Sequence, residues 1–288
     1  MSEANVTISR EGGGIVILTL SRPERRNSLS LSLITELLSR LDELDNDSSV
    51  RVVILASTGT VFSSGHDVKE MAGQDEDGHK NLFSGCVDLM LSLQRLSVPV
   101  IAEVQGPALA AGCQLVASCD LAIASDLATF STPGVRIGLF CTTPMVPLSR
   151  TIGPKRALEM LYTGKAIDAI TAEQWGLVNH VVSLDRLRSA TLELARQLAD
   201  LSPAAMKSGK QAFYAELSMS YSDAYEHARS RMVHDAMAPD AAEGIHAFLE
   251  KRSPCWVADH SNGQWCGQDT NNEQRAHSSE PIADVPPS

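Results

Sequence analysis

Two runs of small residues hold the groups best suited to chemistry. The first, Phe62-Ser63-Ser64-Gly65-His66-Asp67, follows the apolar stretch 51–56. The second, Gly106-Pro107-Ala108-Leu109-Ala110-Ala111-Gly112-Cys113-Gln114, follows the apolar stretch 100–104. Each leaves the end of a buried strand and leads towards a helix, where ligands bind in mainly parallel sheets. Small side chains let backbone amides approach a ligand closely. In the second run those amides lie at a helix N-terminus, where partial positive charge collects. Two amides converging on one point form an oxyanion hole, a cradle for charge developing on a carbonyl oxygen. The same small residues also suit tight helix–strand packing with no ligand, and spacing alone leaves both readings open.

Other chemistries lack their signatures. There is no Gly-x-Ser-x-Gly elbow, no Walker A loop and no dinucleotide fingerprint. His79, His180, His227, His234, His246, His260 and His277 show no metal spacing with cysteines or acids, so no metal is expected. Cys86, Cys113, Cys119, Cys141, Cys255 and Cys266 form no CxxC pair, and they read as reduced thiols used as small hydrophobes.

The elements that must position these runs are legible from periodicity. Strands are expected at 6–9 and 15–20, joined by Gly12-Gly13-Gly14. Ser30 reads as the N-cap of a helix with Leu33, Leu37, Leu41 and Leu44 on one face. After Arg51, stretch 51–56 is apolar, as a strand covered on both faces should be. A helix from about 80 to 96, a strand at 100–104, a helix at 111–118 and short strands at 121–124 and 128–131 follow. Beyond Pro144 the spacing turns helical over 144–162, 171–176, 185–199, 203–217, 221–236 and 240–251, with one strand at 178–182. The chain thus reads as α/β, alternating strand and helix first and mostly helical last.

Composition bounds the rest. The 288 residues are 43% hydrophobic and 20% charged, which is ordinary globular material. The formal net charge of −11 lacks the basic footprint of a nucleic-acid binder. No stretch reaches the roughly 18 apolar residues of a membrane span. The region 256–288 has five acids, one Arg and no Leu, Phe, Met or Tyr, so it reads as a disordered polar tail. The expected organisation is a core at 3–200, a helical region at 201–255 and that tail.

Taken in order, these segments resemble the crotonase (enoyl-CoA hydratase/isomerase) family from about residue 6 to 255. The carrying residues are Arg22-Pro23-Glu24-Arg25-Arg26-Asn27-Ser28-Leu29, the two runs above with Ser118-Cys119-Asp120, and Phe130-Ser131-Thr132-Pro133-Gly134. Tyr162-Thr163-Gly164 and the segment from Glu243-Gly244 to Lys251-Arg252 complete them. The resemblance implies a ClpP-like spiral of ββα units with a C-terminal helical region for trimer packing. It implies an acyl-CoA thioester ligand held between the amides of His66 and Ala111.

Family hydratases use two glutamates, one as base towards water and one as acid towards the α-carbon. By resemblance those positions are Gln114 and Gly134, so neither carboxylate is present. If only the side chains are missing, Gln114→Glu with Gly134→Glu restores hydration on an intact scaffold. Three readings follow: a hydratase-like protein with weak or absent hydration, an oxyanion-hole decarboxylase, or a non-enzymatic acyl-CoA-binding regulator. Gly-His-Asp resembles the methylmalonyl-CoA decarboxylases of the family, and Thr132 is compatible with them. Those enzymes carry a Tyr where Cys141 stands.

The resemblance also places Arg25, Ser64 and His66 against the CoA moiety, with Phe248 and Lys251 reaching the adenine end from a neighbouring subunit. Phe140 and Cys141 fall at the acyl pocket. The His66 imidazole, between Gly65 and Asp67, has two readings: a base beside the hole, or, as expected here, a ring that faces solvent or caps a loop. No cofactor is expected beyond the CoA of the ligand itself. A homotrimer or dimer of trimers is implied. The mitochondrial matrix is implied too, although the N-terminus shows no transit peptide, and the cytoplasm is the other reading.

Overall fold

The structure, a computed structural model, describes residues 5–256. The tail expected at 256–288 lies, beyond Trp256, outside them. The described residues fall into two compact units, one reaching Asp235 and one starting at Ala236.

The first unit opens with the hairpin β1 (Val6–Glu11) and β2 (Ile15–Leu20), then α1 (Leu31–Asp45) and β3 (Val52–Ser57). There follow α2 (Val68–Met71), α3 (Glu76–Arg95), β4 (Val100–Val104), β5 (Ala108–Leu109) and α4 (Ala111–Ser118). Next come β6 (Leu121–Ser125), β7 (Thr129–Ser131), α5 (Thr142–Thr151), α6 (Pro154–Thr163), β8 (Ile167–Asp168) and α7 (Ala169–Trp175). The order closes with β9 (His180–Val182), α8 (Leu187–Ala199), α9 (Pro203–Glu216), α10 (Tyr221–Ala236) and α11 (Pro239–Glu250).

The main sheet runs β1-β2-β3-β4-β6-β9, and only the β1–β2 pair is antiparallel. Val53, Leu55, Val100, Ala102 and Val104 point into one core, which α1, α3 and α4 cover. Ile15, Ile17, Val52, Ile54 and Ile101 point the other way, onto Leu192, Ala195 and Leu198 of α8. That two-sided cover is why residues 52–56 are apolar throughout. A second sheet, β5-β7-β8, is made of strands two or three residues long.

Helix starts follow their caps. The Ser30 side chain accepts from the Leu33 amide, as the sequence predicts. Helix α3 starts at Glu76, earlier than expected, because Asp75 accepts from the Gly78 amide and Glu76 and Asp77 suit the first turn. The single helix expected over 144–162 is two, since Pro154 opens α6 anew. Cys86, Cys113, Cys119 and Cys141 are free and buried. Cys255 departs from the reduced-thiol reading, being disulfide-bonded. Among the described residues no helix is long and apolar enough to cross a membrane.

Candidate active site

β3 and β4 are parallel neighbours, so the loops leaving their carboxyl ends emerge side by side. Those loops pair with each other. The Ser63 amide donates to the Pro107 carbonyl at 3.3 Å, and the Leu109 amide donates to the Ser63 carbonyl at 2.8 Å. On one flank the Leu29 amide donates to the Gly65 carbonyl at 2.8 Å; on the other the Ala110 amide donates to the Ser131 carbonyl at 2.8 Å. Four segments therefore lie abreast, centred on residues 29, 65, 108 and 131.

This ribbon aims two amides. In the parallel bridge between Leu29 and His66, residue 66 turns its own N–H away from Leu29, towards the 109–111 side. Ala111 is the first residue of α4, so its amide has no partner within the helix. Neither amide donates to another group among the described residues. Gly65 has φ +83°, and a Cβ there would stand 3.1 Å from the Ala111 nitrogen and 2.8 Å from the Leu109 oxygen. A Cβ on Gly112 would stand 2.4 Å from the Ser63 oxygen. Both positions need glycine for the loops to close to this distance. Ala110, at φ 49° and ψ −117°, holds a conformation that favours glycine, at a cost on the order of 1–3 kcal/mol. The strain sits one residue before the free amide, as preorganised sites often show.

Asn27 ties the ribbon to its neighbours. Its Nδ2 donates to the Thr58 and Val61 carbonyls at 2.9 and 2.8 Å, and its Oδ1 accepts from the Arg22 amide at 2.9 Å. It is fully buried and left-handed, with φ 50°, which Asn tolerates better than most residues. The Ser63 hydroxyl donates to the Asn27 carbonyl at 2.8 Å and accepts from the Gly65 amide at 3.3 Å. Asn27→Ala removes three part-buried hydrogen bonds to the backbone and is expected to cost about 2–3 kcal/mol in urea unfolding.

The partly buried His66 imidazole caps a loop, with Nδ1 3.4 Å from the Leu29 carbonyl oxygen. Phe83 of α3 meets it edge-on with ring centroids 5.4 Å apart, and Nε2 is buried without a partner. Burial lowers the pKa of the ring below its ordinary value, and the Leu29 carbonyl opposes that only in part.

Gln114 lies on the same face of α4 as Ala111 and is buried, its Oε1 4.0 Å from the Cys86 sulfur. Gly134 reaches this region through the Ser131–Ala110 bond, three residues along. There is no room beside it: a Cβ on Gly134 would stand 2.3 Å from the Leu139 oxygen and 2.7 Å from the Cys141 Sγ. The Leu139 amide in turn donates to the Gly134 carbonyl at 3.0 Å. A glutamate at residue 134 therefore needs more than a side chain added to this backbone. The backbone has closed over the second position.

The family described as enoyl-CoA hydratase/isomerase matches residues 10–259. The chain belongs to the enoyl-CoA hydratase/isomerase family. Enoyl-CoA hydratase domain-containing protein 3, mitochondrial, of Rattus norvegicus is 44% identical over 256 residues, spanning 88% of this chain and 85% of the relative. The crystal structure of human enoyl Coenzyme A hydratase domain-containing protein 3 superposes with TM-score 0.85 at 43% identity, covering 88% of this chain and 100% of that one. An enoyl-CoA hydratase from Mycobacterium smegmatis superposes with TM-score 0.86 at 44% identity, covering 88% and 99%. The crotonase fold expected from the motifs is the fold found.

The remaining family positions are spread more widely. Arg25 and Arg26 are exposed, and the Arg26 carbonyl accepts from the Ser64 amide at 3.0 Å. Phe140 packs on the core and against Tyr162, with ring centroids 5.7 Å apart. Phe248 and Lys251 belong to the second unit, where Lys251 is the left-handed C-cap of α11 and Phe248 is 82% exposed. Sequence reasoning missed Phe83 and Cys86, which bring α3 against His66 and Gln114. Their spacing with His79, at i, i+4 and i+7, was the available signal.

Proposed function

We propose that the protein binds acyl-CoA thioesters, polarises the thioester carbonyl between the His66 and Ala111 amides, and hydrates enoyl-CoA weakly or not at all. One observation carries the second half: the family's two carboxylate positions hold a buried amide and a glycine whose side-chain space is filled. The first half is supported by the two unpaired amides and by the exposed Arg25, next to Arg26 whose carbonyl accepts from the Ser64 amide. One such donor is worth roughly 3–4 kcal/mol to a developing oxyanion. The ligand's CoA is the only coenzyme this reading needs.

The test has two readouts. Butyryl-CoA is expected to raise the melting temperature in proportion to the logarithm of its concentration, as a native-state ligand must. Crotonyl-CoA hydration is expected to stay within about tenfold of the buffer rate. Robust hydration would remove the second half, and no thermal shift the first. A shift without any turnover would favour a regulatory acyl-CoA-binding role.

Decarboxylation of a malonyl- or methylmalonyl-type thioester is a second reading. The Thr132 hydroxyl is fully buried and unpartnered, two residues before Gly134, and supports it. Loss of carbon dioxide leaves its electron pair on the α-carbon, so an oxyanion hole suffices without a carboxylate base. Self-association is supported by exposed apolar residues on α9, at its C-cap and on α10, among them Phe213, Leu217, Met232 and Val233. In a trimer, Phe248 and Lys251 would reach the CoA of a neighbouring subunit. The relatives named mitochondrial support that compartment.

A further inference from the structure

Most groups gathered at the site cannot exchange a proton near neutral pH. Gln114 is an amide and Gly134 has no side chain. Burial pushes the Cys86 and Cys113 thiols up to about 12 and raises Cys141 as well. His66 remains, and its neutral form persists below the ordinary imidazole value of 6.5.

The tautomer follows from its partner. The Leu29 carbonyl, 3.4 Å from Nδ1, can only accept, so the proton sits on Nδ1 and the lone pair on Nε2. Nε2 is enclosed and has no partner. A buried acceptor left unpaired costs about 1–3 kcal/mol, so it calls for a role. The same residue directs its main-chain N–H towards Ala111. One residue thus offers a donor for a carbonyl oxygen and an acceptor for a proton.

The charged neighbours are otherwise engaged. Asp67 accepts from the Lys69 amide at 3.0 Å and from the Ser28 hydroxyl at 3.4 Å, and Glu70 accepts from the Leu31 amide at 3.1 Å. Arg22 donates to Ser30 and lies 3.9 Å from Glu24, while Arg25 and Arg26 are exposed. From α3 the titratable neighbour is His79, which stacks on Phe83 with centroids 6.1 Å apart. The 106–114 loop brings no charged residue.

We propose that His66 is the proton acceptor of this site, with Nε2 taking a proton from the carbon next to a bound thioester carbonyl. The C–H bond breaks and an N–H bond forms at Nε2. The electron pair moves into the carbon–carbon bond and onto the thioester oxygen, which the His66 and Ala111 amides hold. Reversal from solvent deuterium labels the α-carbon, and no co-reactant is consumed. The proposal rests on the thioester-binding reading above. Phe83, half-buried on the imidazole, is the side chain that must give way as the ligand seats.

The test is α-hydrogen exchange of butyryl-CoA in deuterium oxide, with the dissociation constant measured alongside by calorimetry. The wild type is expected to exchange, its rate rising with pH to a plateau through a midpoint below 6.5. His66→Gln keeps the main-chain amide and is expected to lose about 100-fold or more in exchange rate while still binding. Bound thioester exchanging no faster than in buffer overturns the proposal, as does a His66→Gln rate equal to wild type. If that variant does not fold, the wild-type profile decides: a rate that does not fall as pH is lowered to the limit of folding, or that falls as pH rises, overturns it. Failure of the wild type to bind butyryl-CoA overturns the thioester reading, and this proposal with it.

Discussion

Asp120→Ala is expected to remove about 3–5 kcal/mol of stability, read as a shifted midpoint in urea unfolding. Asp120 accepts from the Val100 amide at 2.7 Å, from Lys210 Nζ at 2.6 Å and from the Tyr214 hydroxyl at 2.9 Å. Lys210 also donates to the Leu93 and Val98 carbonyls at 2.8 and 2.9 Å. The cluster thus fastens α9 to the end of α3 and to the starts of β4 and β6. The side chains are only 8% and 16% exposed for Lys210 and Asp120. Removing the carboxylate strands a buried ammonium, which costs far more than the pair contributes while intact.

Two controls make that specific. Burial already lowers the Lys210 pKa, with Asp120 the main opposing influence. Without Asp120 the neutral amine is favoured further in the folded state. The unfolded chain then binds more protons below the ordinary lysine value, so the variant gains stability as pH rises towards it and loses stability as pH falls. Lys210→Met combined with Asp120→Ala should cost at least about 1 kcal/mol less than the two singles added. Strict additivity would show that the two groups act independently.

Gly134→Glu is the second large effect, and it is expected to fail as a repair. Placed with Gln114→Glu, it fills both positions proposed for the family's carboxylates in sequence but not in space. Its Cβ would meet the Leu139 carbonyl at 2.3 Å, a backbone atom held by the Leu139–Gly134 hydrogen bond of 3.0 Å. Relief requires moving the 138–141 turn, with a loss of about 3 kcal/mol. Crotonyl-CoA hydration by the double variant should therefore stay near background, with a lowered melting temperature. Gain of hydration at unchanged stability would show that the turn yields freely.

Legibility differed by the range of the forces involved. Helix α4 was readable because its start and end lie within one stretch of small apolar residues. The Ser30 cap was readable because its partner, Leu33, is three residues away. The site's placement after β3 and β4 was readable because buried parallel strands are apolar on both faces. Of the β5-β7-β8 sheet only β7 was, since the two-residue strands β5 and β8 leave no period to detect. Asn27 gave no local sign of its three backbone partners. Gly134 read as a missing side chain, because the Leu139 carbonyl that fills its space arrives by a turn. Lys210 and Asp120, 90 residues apart, meet only through tertiary packing.

The ribbon that carries the two amides also dictates when they can exist. Its bonds join Leu29 to Gly65, Ser63 to Leu109 and Ala110 to Ser131, so no local segment contains the pair. Each bond closes a loop whose entropy must be met before the contact returns anything. During synthesis, a chain growing from its N-terminus has no competent site until Ser131 has emerged and docked. On the proposed thioester reading, capture by nascent chains of increasing length should therefore switch on late and abruptly, marking completion of the fold.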